Sequence, residues 1–359
     1  MRRSDPGILL LIFLAGVTES GAQIHSSPAA DPTEFGSPRL DPSEAVELEP
    51  AEWSTLVTTS YFNQWNGTWH TRRIRLDSGR IREPIGDDEL LELEKTYPQD
   101  EIYRLDLEGW RADLFFARGF PRGITAAVRI PWITIGTPHG DGMAEAFHSV
   151  VPVDAHYARD LFARDQTFLY FRNAEYRLLR RDDLDGSFVG DISLSIGIPV
   201  RQQSRMRQRL VLMVEAPTGD QDSLAGSGGW DAGIRWFGRT RTGKTDWLLG
   251  AGYTWLDPSG SFLGIERSST WHLSADLTRP LSRRTSAHLA ARLDSSPWLG
   301  ATNENLAEPV LFYRLGLQWT LPRNQWISFD LAEEIAPQMG VDADFGVQLA
   351  WGWRSAGTK

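Results

Sequence analysis

Glu145 and His148 stand three residues apart in GDGMAEAFHSVV, a spacing that sets two side chains on one face of a helical turn. A carboxylate beside an imidazole can hold a metal ion or move a proton. Asp141 lies just before the pair and His156, Arg159 and Arg164 follow it, within a long, partly helical loop expected over residues 136–165. No second pair of ligands lies nearby, so a structural loop accounts for the group more simply than a metal centre. A second concentration of oxygen donors is EAPTGDQDSLAGSGGWDAG, residues 215–233, with Asp220, Asp222 and Asp231. Its spacing matches no calcium loop. Pro217 cannot donate to a β-ladder and marks the end of a strand. Thr218, Gly219 and Asp220 read as a tight turn, and Gly226, Ser227, Gly228 and Gly229 let the backbone bend back. One reading is a loop that constricts a pore and offers carboxylates to a cation. The simpler reading is a strand connection whose aspartates cap backbone N–H groups. In either case residues 224–229 should leave the strand ladder, with Pro217 and Trp230 at the feet.

The third group is dispersed: His272, Asp276, His288, Arg292, Asp294, Arg314, Asp330 and Glu334. Histidines near acids and hydroxyls could serve a nucleophile, but no nucleophile elbow accompanies them. A polar network on strand faces is the simpler account. Phosphate loops, zinc spacings and dinucleotide fingerprints are missing. The sequence therefore singles out no catalytic residue, metal or cofactor.

The elements that carry these residues repeat with a period of two. In TDWLLGAGYTW one face collects Trp247, Leu249, Ala251, Tyr253 and Trp255; in WHLSADLT, Trp271, Leu273, Ala275 and Leu277 oppose His272, Ser274, Asp276 and Thr278. SAHLAARLDS sets Leu289 and Leu293 against His288, Arg292 and Asp294, and LFYRLGLQWTL sets Tyr313, Leu315 and Leu317 against Arg314 and Gln318. Each such strand has one apolar and one polar face. A soluble sandwich buries the apolar face between sheets. A membrane barrel turns it to lipid and the polar face to a wet lumen. Tryptophans at the ends of apolar faces, charges of both signs at mid-strand, and strands near the about 9–11 residues of a tilted membrane strand favour the barrel. The fold expected is an all-β antiparallel transmembrane barrel of about twelve strands, within a range of about 10–14. Two local features go with it. The hydrophobic face of EIYRLDLEGWRADLFF switches at Gly109, which reads as a glycine bulge. Asn66-Gly67 reads as a type I′ hairpin turn.

The ends and the composition narrow the class. Arg2 and Arg3, the apolar stretch 8–17 and Ser20-Gly21-Ala22 make a secretory signal peptide over residues 1–22, too short to cross a bilayer. Residues 23–50, rich in Pro, Ser and acid, read as a disordered or extended lead-in, and the barrel should occupy residues 51–354. The 359 residues contain no cysteine, which excludes a disulfide scaffold and a lipoprotein anchor. A net charge of −10 without a basic stripe argues against nucleic acid. Fifteen tryptophans suit membrane–water interfaces.

VGDISLSIGIPV, EAPTGDQDSLAGSGGWDAGI and DLAEEIAP…DADFGVQLAWGW, preceded by IPWITIGTPHGDGMAEAFHSVV…HYARDLF, resemble in this order the bacterial DUF3187 family. The resemblance covers most of the chain after residue 51. It implies a Gram-negative outer-membrane barrel of unassigned role. Glu333-Glu334 depart from the Glu-Asp usual there, and the chain runs six residues past Trp353. The expected role is a passive channel or transporter for small solutes, without cofactor, rather than an enzyme. The alternatives are a rim enzyme acting on lipid or peptide and a structural or assembly barrel. The partners expected are the bilayer, the barrel-assembly machinery and an unidentified solute.

Overall fold

The computed structural model describes residues 42–355 except 81, 137–141, 143–161, 165, 182–183, 203–205, 259–266, 299–306 and 336–342. In chain order the strands are β1 Trp53–Gly67, β2 Ile102–Gly119, β3 Thr125–Ile135, β4 Phe168–Arg172, β5 Arg177–Arg180, β6 Gly186–Val189, β7 Ile192–Arg201, β8 Met206–Ala216, β9 Asp231–Thr242, β10 Thr245–Trp255, β11 Thr270–Pro280, β12 Thr285–Asp294, β13 Val310–Leu321, β14 Gln325–Ile335 and β15 Ala343–Arg354. Helices α1 Trp69–Ser78 and α2 Asp87–Thr96 lie between β1 and β2.

Twelve of these strands close on themselves. β1 pairs with both β2 and β15, and the ladder runs from β2 through β3 and β7 round to β15, antiparallel throughout. Closure leaves no sheet edge, the condition for crossing a bilayer with strands. The connections are asymmetric. At one rim, strands are joined by the short segments 120–124, 202–205, 243–244, 281–284 and 322–324; at the other lie 68–101, 136–191, 217–230, 256–269, 295–309 and 336–342. We call these the turn rim and the loop rim. The short strands β4 and β5 extend the sheet from β2 at the loop rim, and β6 extends it from β3.

The period-two pattern sorts side chains as expected. Leu194, Leu273, Leu289, Leu315 and Leu349 are exposed on the outside while Ser195, His272, His288, Arg314 and Gln348 are buried inside. Trp53, Trp132, Trp255 and Trp271 stand exposed near strand ends, where amphipathic rings suit the interface.

Two local expectations fail. No bulge occurs at Gly109: β1 and β2 stay in register from Trp53↔Arg118 to Gly67↔Arg104. Leu105 and Leu107 do point inward, into an apolar core described below. Gly109 is needed for space, because a Cβ there would sit 2.2 Å from the Thr134 carbonyl oxygen and 2.7 Å from the Phe62 ring. Asn66-Gly67 is not a hairpin turn. Both residues stay in the β1 ladder, opposite Leu105 and Arg104, and the chain then enters α1. That helix stops at Gly79, whose φ of 67° is the left-handed cap conformation. In α2, Asp87, Asp88 and Glu89 fill the first turn, where acids suit the helix dipole. Leu90 and Leu93 bury against Ile85, Ile102, Phe168 and Tyr170. Arg75, fully buried, joins the helices by a two-pronged contact to Glu89 at 2.9 and 2.8 Å.

Of the lead-in, residues 23–41 lie outside the described residues. Its described end is ordered: Pro42–Ala45 form a short 3-10 turn, and Ser43, Glu44, Ala45, Val46 and Leu48 are buried inside the barrel. Ala45 packs on Val211 and Phe237; Val46 and Leu48 pack on Leu56, Phe115, Trp326 and Ala350. Apolar residues in EAVELEP give this end something to bury, unlike a wholly polar tail.

Candidate permeation path

From the turn rim the barrel opens through a vestibule of about 1410 Å³. Eight arginines line it against four carboxylates, Glu47, Glu49, Glu52 and Asp246. Arg122, Arg283 and Arg323 sit in the tight turns and Arg241 at the end of β9; among the described residues none of these four has an ion pair. The others are engaged. Arg207 meets Glu47 at 2.9 Å and Arg354 holds Glu52 at 2.7 Å. Arg209 donates to the Gly123 and Gly197 carbonyls and to Thr125. A cationic surplus of this size in a chain of net charge −10 makes a local positive field, strengthened by low-dielectric walls.

Above the vestibule the N-terminal segment occupies the lumen. The Glu44 carboxylate is buried against the Arg235 guanidinium of β9 and lies 3.9 Å from Arg129 of β3. Arg129 also donates to Ser43 Oγ at 3.2 Å, and Thr125 Oγ1 donates to the Val46 carbonyl. Backbone bonds to the wall begin only at Ala51 and Glu52, which pair with Gly119.

The inner wall of β11 to β14 carries a closed ionic network. Arg314 binds Asp276 at 2.8 Å and lies 3.7 Å from Asp330, which also meets His288 and accepts from Ser328. Asp294 holds His272 Nδ1 at 2.9 Å and Arg292 at 2.6 Å; Arg292 also lies over the Phe312 ring. His272 Nε2 approaches the Thr254 and Thr270 hydroxyls at 3.2 and 3.1 Å. Acid, imidazole and hydroxyl are thus in relay order, yet Thr254 is fully buried and Thr270 nearly so. A nucleophile needs room for its substrate, and here the hydroxyls are enclosed by the wall.

At the loop rim the mouth is capped by an apolar core. Tyr103, Leu105 and Leu107 of β2, Ile133 and Ile135 of β3, and Leu169 and Phe171 of β4 surround Leu224, Ala225 and Trp298 from the loops. Residues 217–230 therefore leave the ladder and fold inward, between the ends of β8 and β9. Asp191 ties both halves of this loop down: its carboxylate accepts from Gly219 N at 2.8 Å and Ser227 N at 2.5 Å. Thr218 Oγ1 donates to the Gly190 carbonyl and accepts from Ile192 N. Gly219 and Gly226 cross at backbone contact, where a Cβ on either would lie 2.5–2.6 Å from the other strand of the loop. Gly228 has φ +75°.

His272, Asp276, Arg292, Asp294, Arg314 and Asp330 come together on the inner wall, along with His288. Glu334 is described only in its backbone, paired with Phe312. Asp220, Asp222 and Asp231 do not converge. Asp220 caps Asp222 N and Ser223, while Asp231 accepts from Asp257 N and Arg267. No cluster of three metal-ligating side chains occurs among the described residues. Asp141, Glu145, His148 and Arg159 lie outside the described residues. Sequence reasoning missed Glu44, Arg129 and Arg235. Arg235 was reachable, since IRWFGR places it on the inward parity of β9; its partnership with a residue 191 positions away was not.

A family model described as protein of unknown function (DUF3187) matches residues 91–354. No curated protein matches the chain. The crystal structure of an outer membrane channel from Pseudomonas putida F1 aligns with a TM-score of 0.54 and 11% identity, over 88% of this chain and 100% of that one. The NanC porin aligns at 0.40 and 9%, over 70% and 94%, and the CymD monoaromatic hydrocarbon channel at 0.38 and 7%, over 88% and 91%. The first of these shares the barrel fold; the other two are too distant to argue from.

Proposed function

The chain belongs to the DUF3187 family, and from that premise we propose that it is an outer-membrane channel for small solutes, not an enzyme. The observation that carries the reading is the barrel interior: ionised side chains line it and it opens at the turn rim into a vestibule of about 1410 Å³. Charge of both signs on an inner wall suits water-filled transit, and the leucine-rich exterior suits lipid. By the usual asymmetry of such barrels the turn rim faces the periplasm and the loop rim the outside. The enclosed threonines beside His272 weaken the case for a rim hydrolase. On this reading export depends on the signal peptide at residues 1–22, and the barrel-assembly machinery and the bilayer are the partners. Swelling of liposomes that carry the purified barrel tests it, with sugars, amino acids and small carboxylates supplied in turn. Swelling with some of these solutes is expected. Folded barrel that leaves every liposome osmotically tight would end the reading.

A further inference from the structure

We propose that Arg129 and Arg235 form a carboxylate-binding site within the lumen, that Glu44 of the chain's own N-terminal segment fills it in this structure, and that small dicarboxylate solutes compete with Glu44 for it. The proposal rests on the channel reading only for its consequence, transit; binding itself can be tested separately.

Three observations carry it. The Glu44–Arg235 pair is enclosed, with side chains 3% and 1% exposed. A guanidinium so far from water requires an anion beside it, and its planar fork suits a carboxylate. Second, Arg235 has spare capacity: its Nε and one Nη find no hydrogen-bond acceptor among the described residues, and Arg129 stands beside it, 3.9 Å from the same carboxylate. A ligand with more acceptor oxygens than one glutamate would satisfy donors that Glu44 leaves over. Third, the segment that brings Glu44 is held by side chains rather than by the sheet. Among the described residues no backbone–backbone bond joins residues 43–50 to the barrel ladder; that pairing starts at Ala51, whose φ of 65° turns the chain into the wall. The apolar anchors are three small or medium side chains, Ala45, Val46 and Leu48. Below it the arginines of the vestibule raise the local concentration of anions at the foot of the segment.

The absence of cysteine permits a direct test. Val46, buried beside Glu44, is replaced (Val46→Cys) in the full chain, and its labelling by a neutral thiol reagent is timed in detergent with succinate or with sodium chloride at equal ionic strength. Succinate is expected to speed labelling about tenfold over chloride, and Arg235→Gln in the same background to remove the difference. Equal rates in the two salts, or a succinate effect that survives Arg235→Gln, would overturn the site. Heat-modifiable migration establishes that each variant is folded. If Arg235→Gln does not fold, Glu44→Ala takes its place: labelling should then be fast in both salts, and slow labelling would overturn the plug. Conductance of the same samples in planar bilayers separates the two readings. A succinate response in a barrel that never conducts ends the channel reading and leaves the site standing, whereas conduction without a succinate response does the reverse.

Discussion

Leu289 and Arg292, three residues apart on β12, face different surroundings, and side-chain parity alone decides which. Leu289 is exposed on the outer surface between Leu277 and Leu315. Arginine there would meet lipid near the midplane, at about 2–4 kcal/mol. Arg292 is buried inside, against Asp294 and over Phe312. Leu289→Arg should therefore abolish most of the heat-modifiable, folded band after refolding into bilayers. Arg292→Leu should leave that band largely intact, because Asp294 retains His272. Equal loss in both variants, read on the same gel, would mean that the faces are assigned the wrong way round. This level was the most legible in the sequence: alternation alone placed Asp276, Arg292, Arg314 and Asp330 indoors. It could not say who pairs with whom, since Arg314 reaches Asp276 across an intervening strand and Glu44 reaches Arg235 across most of the chain.

Elements were read less evenly, and the errors share a cause. Residues 224–229 leave the ladder as the sequence predicts, with Pro217 and Trp230 at the feet, because Pro217 and the glycines have no place in a strand. The direction of the fold was hidden, since it depends on Leu224 and Ala225 finding Leu105, Leu107 and Ile133 inside the mouth. Those same inward leucines made β2 look as though it changed face, and a bulge was inferred where the strand is regular. Deleting residues 221–227 removes the cap's apolar plug and should raise single-channel conductance while folded yield holds. Asp191→Ala, which frees two backbone N–H groups at about 1.5–3 kcal/mol for each charge-assisted bond, should raise it less. Unchanged conductance in both would leave residues 217–230 as a mere connection. The helical pair α1–α2 went unseen beneath an apparent hairpin signal, although DDELLELEK carries an acidic first turn and leucines at helical spacing. Its pH response follows from two groups. Burial holds the His70 imidazole below its ordinary pKa of 6.5, with Asp100 offsetting part of the shift. Burial alone would raise the Glu89 carboxyl, but hydrogen bonds from Arg75 and Gly86 outweigh it and hold it below 4.5. Both folded-state values lie under the unfolded ones, so the stabilisation is complete at high pH and is lost as pH falls. Amide protection in α1 and α2, measured relative to the intrinsic exchange rate at each pH, should fall below pH 6.5 and again below 4.5. Protection that stays constant from pH 8 to 5 after that correction, or rises at the acid end, would contradict the His70 assignment.

At the scale of the whole molecule the outcome is a closed ring of twelve strands, with lipid-facing leucines outside and paired charges within. Strand count was legible because most strands repeat the same two-residue code, and three of the five short turns, 120–124, 243–244 and 322–324, carry glycine or proline. Occupancy of the interior was not, because Ala45, Val46 and Leu48 give the segment apolar surface to bury without saying where it docks. The same architecture predicts that the folded barrel resists dissociation in detergent and shifts its gel mobility on boiling; a chain soluble without detergent would be a sandwich instead. Single-channel recording in planar bilayers tests the central claim most directly, with the refolded full chain compared with the variant lacking residues 221–227. Discrete conductance steps are expected from the full chain, and larger ones once the cap is removed. A folded, heat-modifiable barrel that gives no steps in either form would contradict the account.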